Sequence, residues 1–535
     1  MLPHRYRPCE PLRSKVGFER MNLYTRFPLL LLLLLYLGGC ASLPDDLQQV
    51  PSEGWATPET TRLGALIAET APEDKSLSGV ELLAEPAKAF RARFAIAGLA
   101  DKTLDMQYYL WKGDLAGQLL MWRALEAADR GVRVRFLIDD IYHSGRDNVY
   151  ALLDTHPNFE TRVFNPMANR GAAKNLNYLN NKKFLNHRMH NKIFMADNAV
   201  AVLGGRNIGN DYFGIDTKAN FFDLDVLTVG QGAREAGIAF DEYWNSRYAV
   251  PISVLHDKTY TAKDLDAARE RLNASLEYLD VVPYAIARAE QENLENLKSW
   301  RDQLIWTEAH VVVDPLERFE GQGKSAIVEF GEEYIDKIEK EFVAQSAYLI
   351  PSGQGIENIR KYVDRGVRVR LMTNSLMSNN HITAHSGYMK YRKDMLEAGA
   401  ELHELRADAA LREHFRANED DEEVPAGIHT KSFVLDGDQA LIGSFNMDPR
   451  SRDLNSEIGL VVSSTEFAQQ VLEVMEKEFD PENSYRLYLN EDGKLRWELQ
   501  NPDGTITTFT HDPGASIWKR MAARFLSWLP IEQEL

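Results

Sequence analysis

Residues 190–197 read HNKIFMAD, and residues 429–436 read HTKSFVLD. Both fit one pattern: a histidine, a lysine two positions on, and an aspartate seven positions on. The two copies stand 239 residues apart. The agreement continues past the motif. Gly204 and Gly443 each follow their histidine by 14 residues, and Asn207 and Asn446 follow theirs by 17. Upstream, residues 129–135 and 364–370 are identical, DRGVRVR, at an offset of 235. Each copy follows a helical stretch and runs into an apolar strand, FLID in the first and RLMT in the second. Helix, glycine, then a β-branched strand is the crossover unit of an α/β sheet. Two separate matches at nearly one offset mark an internal duplication. The expected fold is α/β: two fused lobes, each a mixed β-sheet flanked by helices, with a pseudo-twofold site between them.

The motif itself carries chemistry. On a strand, His190 and Lys192 would point to one face, with Asn191 and Ile193 on the other. Asp197-Asn198 and Asp436-Gly437 then read as tight turns, returning as AVAVLGG and ALIGS. Each half thus offers an imidazole beside an ammonium, with an asparagine from the return strand. A phosphodiester spreads negative charge over its non-bridging oxygens in the transition state, so donors and cations must be aimed there. Lys192, Lys431, Asn207 and Asn446 are the candidates for that role. One neutral imidazole can attack phosphorus, and the other, protonated, can serve the leaving alcohol. Four spaced positions recurring in each half set these histidines apart from packed or surface ones. A zinc site is excluded by inventory, because no cysteine lies in the repeats and the lysines would repel a cation. No metal and no cofactor are expected.

Charge narrows the partners. The chain carries −19, and its first 39 residues hold six basic and two acidic side chains, which leaves the remainder at −23. A body so acidic is a poor generic binder of nucleic acid. Any phosphate site must be a local cationic pocket. One segment fits that need: between Glu160 and Asp197 there is no acidic residue, while Arg162, Arg170, Lys174, Lys182, Lys183, Arg188 and Lys192 all lie there. It reads either as a solvated basic loop or, taken whole, as an electrostatic funnel leading to His190. The run EDDEE at 419–423 is its opposite and reads as a solvated loop.

The two cysteines, Cys9 and Cys40, rule out a disulfide framework. Residues 27–37, FPLLLLLLLYL, form an apolar run too short to span a bilayer, which takes about 20 residues. They match the core of a signal peptide, and Leu-Gly-Gly-Cys at the end resembles a bacterial lipoprotein signal with Cys40 as the lipidated residue. Met21 begins a signal of more usual length than Met1. Ala41 after the cysteine favours the outer membrane, periplasmic side, of a Gram-negative envelope.

The expected organisation follows. Residues 1–39 are the upstream segment and signal peptide, and 40–75 the lipidated cysteine and a tether. Residues 76–255 form the first half, 256–305 a charged helical connector, and 306–480 the second half. Residues 481–535 hold a small β-appendage and a last amphipathic helix, IWKRMAARFLSWL. Its Trp518, Phe525 and Trp528 are expected to pack on the body, with lipid contact as the alternative.

The paired motifs, with the strings LDMQYYLW (104–111), NHRMHNK (186–192), LGGRNIGNDYF (203–213), FFDLDVLTVG (221–230), GSFNMDPRS (443–451) and LNSEIG (454–459), resemble the phospholipase D superfamily over about residues 76–480. Within it the chain looks most like the bacterial type C cardiolipin synthases. The resemblance implies a phosphatidyltransferase working through a phospho-histidine, with His190 as nucleophile and His429 as general acid and base. It implies that each half lends a carboxylate to orient the histidine of the other: Glu457 for His190, and Asp223 for His429, with Asp225 close by as a competitor. Asp197 and Asp436 belong to the catalytic motif but by the same resemblance serve its turn. The implied partners are phospholipids, phosphatidylglycerol alone or with phosphatidylethanolamine, and a membrane. A hydrolase releasing phosphatidic acid and a non-catalytic lipid-binding envelope lipoprotein are the alternatives. Among the remaining histidines, His385 is the candidate to face substrate, with His381 and His403 structural.

Overall fold

The computed structural model describes residues 49–143, 145–168, 170, 185–256, 258–275, 290–415 and 424–534. Cys40 and the signal peptide, Lys174, Lys182, Lys183 and the run 419–423 lie outside the described residues.

The first lobe contains strands β1 (Ser78–Leu83), β2 (Thr103–Tyr108), β3 (Arg133–Asp139), β4 (Phe159–Phe164), β5 (Ile193–Ala196), β6 (Val200–Gly204), β7 (Asn220–Phe222), β8 (Asp225–Gly230) and β9 (Ala249–Pro251). The second contains β10 (Ile305–Val313), β11 (Glu341–Ser346), β12 (Arg368–Asn374), β13 (Glu401–Leu405), β14 (Ala426–Ile428), β15 (Lys431–Leu435), β16 (Gln439–Gly443), β17 (Ile458–Ser463), β18 (Ser484–Leu489), β19 (Leu495–Gln500) and β20 (Ile506–Phe509). Pairing runs β1-β8-β6-β5-β2-β3-β4-β9 in one lobe. In the other it runs β10-β17-β16-β15-β11-β12-β13-β18, continued by β19 and β20. The two orders are the same order twice. The parallel steps fall at β2-β3-β4 and β11-β12-β13, where the crossover helices are.

The duplicated DRGVRVR shows why these residues fold alike. Helix Leu115–Asp129 ends at Arg130 and helix Ser352–Asp364 at Arg365, and Gly131 and Gly366 follow at φ +93° and +87°. That left-handed step is one that glycine takes without strain. Val132 N then bonds Ala127 O at 3.1 Å, and Val367 N bonds Tyr362 O at 3.0 Å, closing both helix ends identically before the strand begins.

The sheets are continuous. Antiparallel pairing of β1 with β10, Val80 opposite Ile305, joins the two lobes edge to edge, and 18 strands belong to one sheet. A shared apolar core fills the space between the lobes: Leu203, Phe240 and Tyr243 from the first meet Val343, Leu460 and Met475 from the second. Burial of this kind is the main force holding the halves in register.

Three expected segments differ. From residue 49 the supposed tether is docked on the first lobe: Gly54 N donates to Asp241 at 2.8 Å, and helix Arg62–Ala68 buries Leu63, Leu66 and Ile67. Its few apolar residues sit at one helical face, which prolines nearby obscured. The connector helices, Ala262–Ser275 and Glu290–Arg301, pack Leu265, Leu297 and Trp300 into the first lobe's core. The β-appendage is no separate unit, because β18 pairs with β13 and occupies in the second lobe the place of β9 in the first. No helix among the described residues is long and apolar enough to cross a membrane.

Candidate active site

Two short parallel pairings stitch the lobes together at the motifs. β7 pairs with β14, Phe222 opposite Ile428, and Met189 bridges Ser456 in the same sense. The next residue along each strand is a functional one. His429 therefore lies beside Asp223, and His190 beside Glu457. Backbone bonds seal both crossings: His190 N to Ser456 O at 2.9 Å, and His429 N to Phe222 O at 2.7 Å. This corrects one expectation. His190 and Lys192 lie in a lead-in ahead of β5, not on the strand, because the backbone from Arg188 to His190 is engaged with the other lobe.

The side chains complete the exchange. His190 Nδ1 is 2.8 Å from Glu457 Oε2, and His429 Nδ1 is 2.7 Å from Asp223 Oδ2. Each carboxylate comes from the opposite half. Ser444 Oγ also donates to Glu457. Asp225, the competitor, is taken by Arg93 at 2.9 Å and Arg206 at 3.1 Å, so Asp223 alone of the two reaches a histidine. Gly205 makes room for it: a Cβ there would stand 2.1 Å from Asp223 Oδ1.

Lys192 and Lys431 are buried, and each folds back to donate to the carbonyl of its own motif histidine. Lys431 Nζ also stands 3.0 Å from His429 Nδ1. Burial, with the neighbouring ammonium adding to it in the first case, brings Lys192 down to about 7, and burial brings Lys431 to about 8. Burial likewise holds His190 well below its ordinary value, helped by Lys192, Lys431 and Arg450. His429 is pushed down to about 3 by burial and then by Lys431. Burial raises Asp223, but His429 and the cations outweigh it and hold it low. The empty site thus rests with both imidazoles neutral, and the pairing with carboxylates places each ring proton on Nδ1. Nε2 is left as the nitrogen available to the cleft.

That cleft has a volume of about 1010 Å³ and is lined by both histidines, Asn207 and Asn446. Asn207 Nδ2 donates to Tyr212 at 3.0 Å, while Oδ1 of both asparagines is buried without a partner. Tyr109 meets His190 edge-on with ring centres 4.7 Å apart, and Tyr212 meets His429 likewise at 5.0 Å. Arg146, Asp448 and Arg450 complete the polar wall. Asp448 is raised to about 7 by burial. Tyr109, Asp448 and Arg450 were not singled out from sequence, although each sits inside a quoted string. Only the three-dimensional neighbourhood shows which residue of LDMQYYLW or GSFNMDPRS turns inward.

Other expected residues fall elsewhere. Asp197 accepts from the backbone N–H groups of Asp101, Lys102 and Thr103 at 2.9, 2.7 and 3.0 Å. Asp436 accepts from Glu339, Lys340 and Glu341 at the same three distances. Both are at left-handed φ, 56° and 52°, and tie the hairpin to the start of β2 or β11. They belong to the turn. The described arginines of the supposed funnel are spoken for: Arg162 pairs with Glu160, Arg170 with Asp140 and Asp147, and Arg188 with Asp139. Asp139, Asp140 and Asp147 lie outside the segment, so a reading of that segment alone cannot show that they neutralise Arg170 and Arg188. His385 is buried away from the cleft, 3.4 Å from Asp512, whereas His381 lines the cleft beside Tyr348. His403 packs on Phe479.

A duplicated α/β fold in which each lobe orients the other's histidine at one shared cleft, with a buried lysine beside each histidine, defines an enzyme of the phospholipase D class. The family described as "Cardiolipin synthase, PLD-like domain" matches residues 96–244 and again 332–479. Cardiolipin synthase C of Escherichia coli (strain K12) is 33% identical over 88% of this chain and 99% of its own length. An uncharacterized protein of Helicobacter pylori (strain ATCC 700392 / 26695) is 28% identical over 95% of this chain and 99% of its own. The chain belongs to the cardiolipin synthase, phospholipase D-like family. In fold it is similar to the crystal structure of phosphatidylserine synthase from Haemophilus influenzae Rd KW20, with a TM-score of 0.52 at 13% identity, covering 84% of this chain and 94% of that one.

Proposed function

We propose that this enzyme transfers a phosphatidyl group from one phospholipid to the alcohol of another, producing cardiolipin or a close relative of it. The observation that carries the reading is the reciprocal pair His190–Glu457 and His429–Asp223 around one cleft. The similarity to cardiolipin synthase C of Escherichia coli supports the lipid assignment.

In the first step His190 Nε2 attacks phosphorus, and the bond from phosphorus to the head-group oxygen breaks. The departing alkoxide takes a proton from His429, and a phosphatidyl-histidine remains. Lys192, Lys431, Asn207 and Asn446 hold the non-bridging oxygens, where charge builds. His429 is neutral in the empty site, so it must take up a proton from solvent as substrate binds. The phosphodiester anion and ionised Asp223 together favour the imidazolium once lipid is bound. In the second step His429 takes the proton of an incoming lipid hydroxyl, whose oxygen attacks phosphorus and frees His190. Two phosphatidylglycerols would yield cardiolipin and glycerol. With phosphatidylethanolamine as donor, ethanolamine would leave instead.

Cys40 is proposed as the lipidated residue that holds the enzyme on the periplasmic side of the outer membrane. The support is the apolar run ending in Leu-Gly-Gly-Cys-Ala. A Cys40→Ser form should take up no radioactive palmitate, and labelling equal to the wild type would refute the anchor.

The reaction is tested by supplying phosphatidylglycerol, with and without phosphatidylethanolamine, and analysing lipids by mass spectrometry. Cardiolipin in excess over phosphatidic acid is expected, because a site at a lipid surface meets lipid alcohols at high local concentration. Phosphatidic acid as the sole product would make the enzyme a hydrolase.

A further inference from the structure

The last helix, Ile517–Ser527, is turned inside out. Ile517, Trp518, Met521, Phe525, Trp528 and Leu529 recur at the spacing of a single apolar stripe. Such a stripe ordinarily faces the core, and here it faces solvent. Trp518 is 75% exposed, Phe525 61% and Trp528 77%, while Ala523 is the one buried residue of the helix. A contiguous exposed patch of large apolar side chains marks a surface made to be covered.

The opposite side of the helix holds it in this orientation. Ala523 packs with Leu376 and Ala515, against Ile382 and Met389. Ser516 caps the first turn, and Asp512 just before it is held by Arg392 at 2.7 Å. Beyond the helix, Lys390 and Tyr391 hold Glu532, and Asn186 donates to Glu534 at 2.8 Å. The helix is fastened at both ends.

Its position and charge identify what covers it. The helix packs on Ile382–Tyr388. His381, Thr383 and Ala384, at the start of that neighbour, line the catalytic cleft, as does Glu534 from the tail. The helix that bears the apolar stripe is therefore packed on an element of the cleft wall. In a chain of −19, residues 513–530 contain Lys519, Arg520 and Arg524 and no carboxylate. Cations flanking a tryptophan- and phenylalanine-bearing stripe are the composition of a helix lying in an anionic lipid interface. A protein docked on this face would crowd the entrance, whereas a bilayer there delivers substrate to it.

We propose that Ile517–Ser527 is an interfacial anchor: it lies in the boundary between head groups and acyl chains of an anionic bilayer and sets the mouth of the cleft at the lipid surface. The proposal rests on the reading that the substrates are phospholipids. It is tested on the full chain with the triple variant Trp518→Ser, Phe525→Ser, Trp528→Ser. On vesicles of phosphatidylglycerol and phosphatidylethanolamine, turnover should fall by about tenfold or more, while turnover of monomeric dihexanoyl-phosphatidylglycerol should stay within about twofold. No loss on vesicles, or equal loss on both substrates, overturns the anchor. Quenching of tryptophan fluorescence by vesicles with brominated acyl chains reads the same contact without turnover. Wild type should be quenched, and Trp518→Phe with Trp528→Phe should lose most of that signal. Undiminished quenching in that double variant overturns the proposal. So does a change from dimer to monomer in the triple variant, which would assign the stripe to a second copy. A wild type quenched by lipid yet inactive on both substrates would sink the transferase reading and leave the anchor standing.

Discussion

His190 and His429 each have a carboxylate at Nδ1 from the other half of the chain, at 2.8 and 2.7 Å. The carboxylate sets the tautomer that leaves Nε2 free, and in the proposed mechanism its charge stabilises the positive ring formed when His190 is phosphorylated or His429 protonated. Glu457→Gln keeps the size and removes both effects. Its kcat should fall by about a thousandfold while the melting temperature stays close to wild type, as measured by steady-state assay and calorimetry. The lysines supply a second test. With Lys192 at about 7 and Lys431 at about 8, both buried ammoniums are charged below those values and lose their protons as pH rises through them. kcat/KM should therefore decline on the alkaline side, with its midpoint between about pH 7 and 8. A profile flat to pH 9.5 would show that the lysines stay charged or do not hold the phosphate. The histidine, lysine and asparagine positions were legible because they recur at fixed spacing. Tyr109, Arg450 and the inward turn of His381 were not, since nothing local distinguishes a cleft-facing residue from its neighbour.

Among the elements, the decisive ones are the shortest. β7 with β14, and the bridge of Met189 to Ser456, carry the cross-lobe register that puts each histidine next to its carboxylate. Three-residue strands leave almost no periodic signal, so the sequence suggested an ordinary motif strand and missed the crossing. The hairpins β5–β6 and β15–β16 were readable, because Asp197-Asn198 and Asp436-Gly437 are residues that tolerate the left-handed turn both adopt. At the edge of β6, Gly205 allows Asp223 its place, and a methyl group there would meet Asp223 Oδ1 at 2.1 Å. Gly205→Ala should displace that carboxylate and lower kcat by about a hundredfold or more, with little change in the circular dichroism spectrum. Activity near wild type would show that Asp223 can shift without consequence for His429.

For the whole molecule, the duplication predicted two lobes, and the pairing of β1 with β10 makes them one sheet. The shared core between them, with Phe240 and Leu460 as members, leaves neither lobe complete alone. The sequence could announce the repeat but not how its copies meet, because contacts between halves have no period. Both halves of the site come from one chain. Mixing inactive His190→Ala protein with inactive His429→Ala protein should restore no activity. Recovery would require lobes exchanged between chains.

The central claim is that His190 carries the phosphatidyl group and His429 moves the protons. A His429→Ala enzyme given a phosphatidyl ester with a good leaving group needs no acid for the first step and has no base for the second, so it should stall as the covalent adduct. Mass spectrometry of its peptides should find the phosphatidyl group on His190. An adduct on any other residue, or one on His429 in the His190→Ala enzyme, would contradict the assignment.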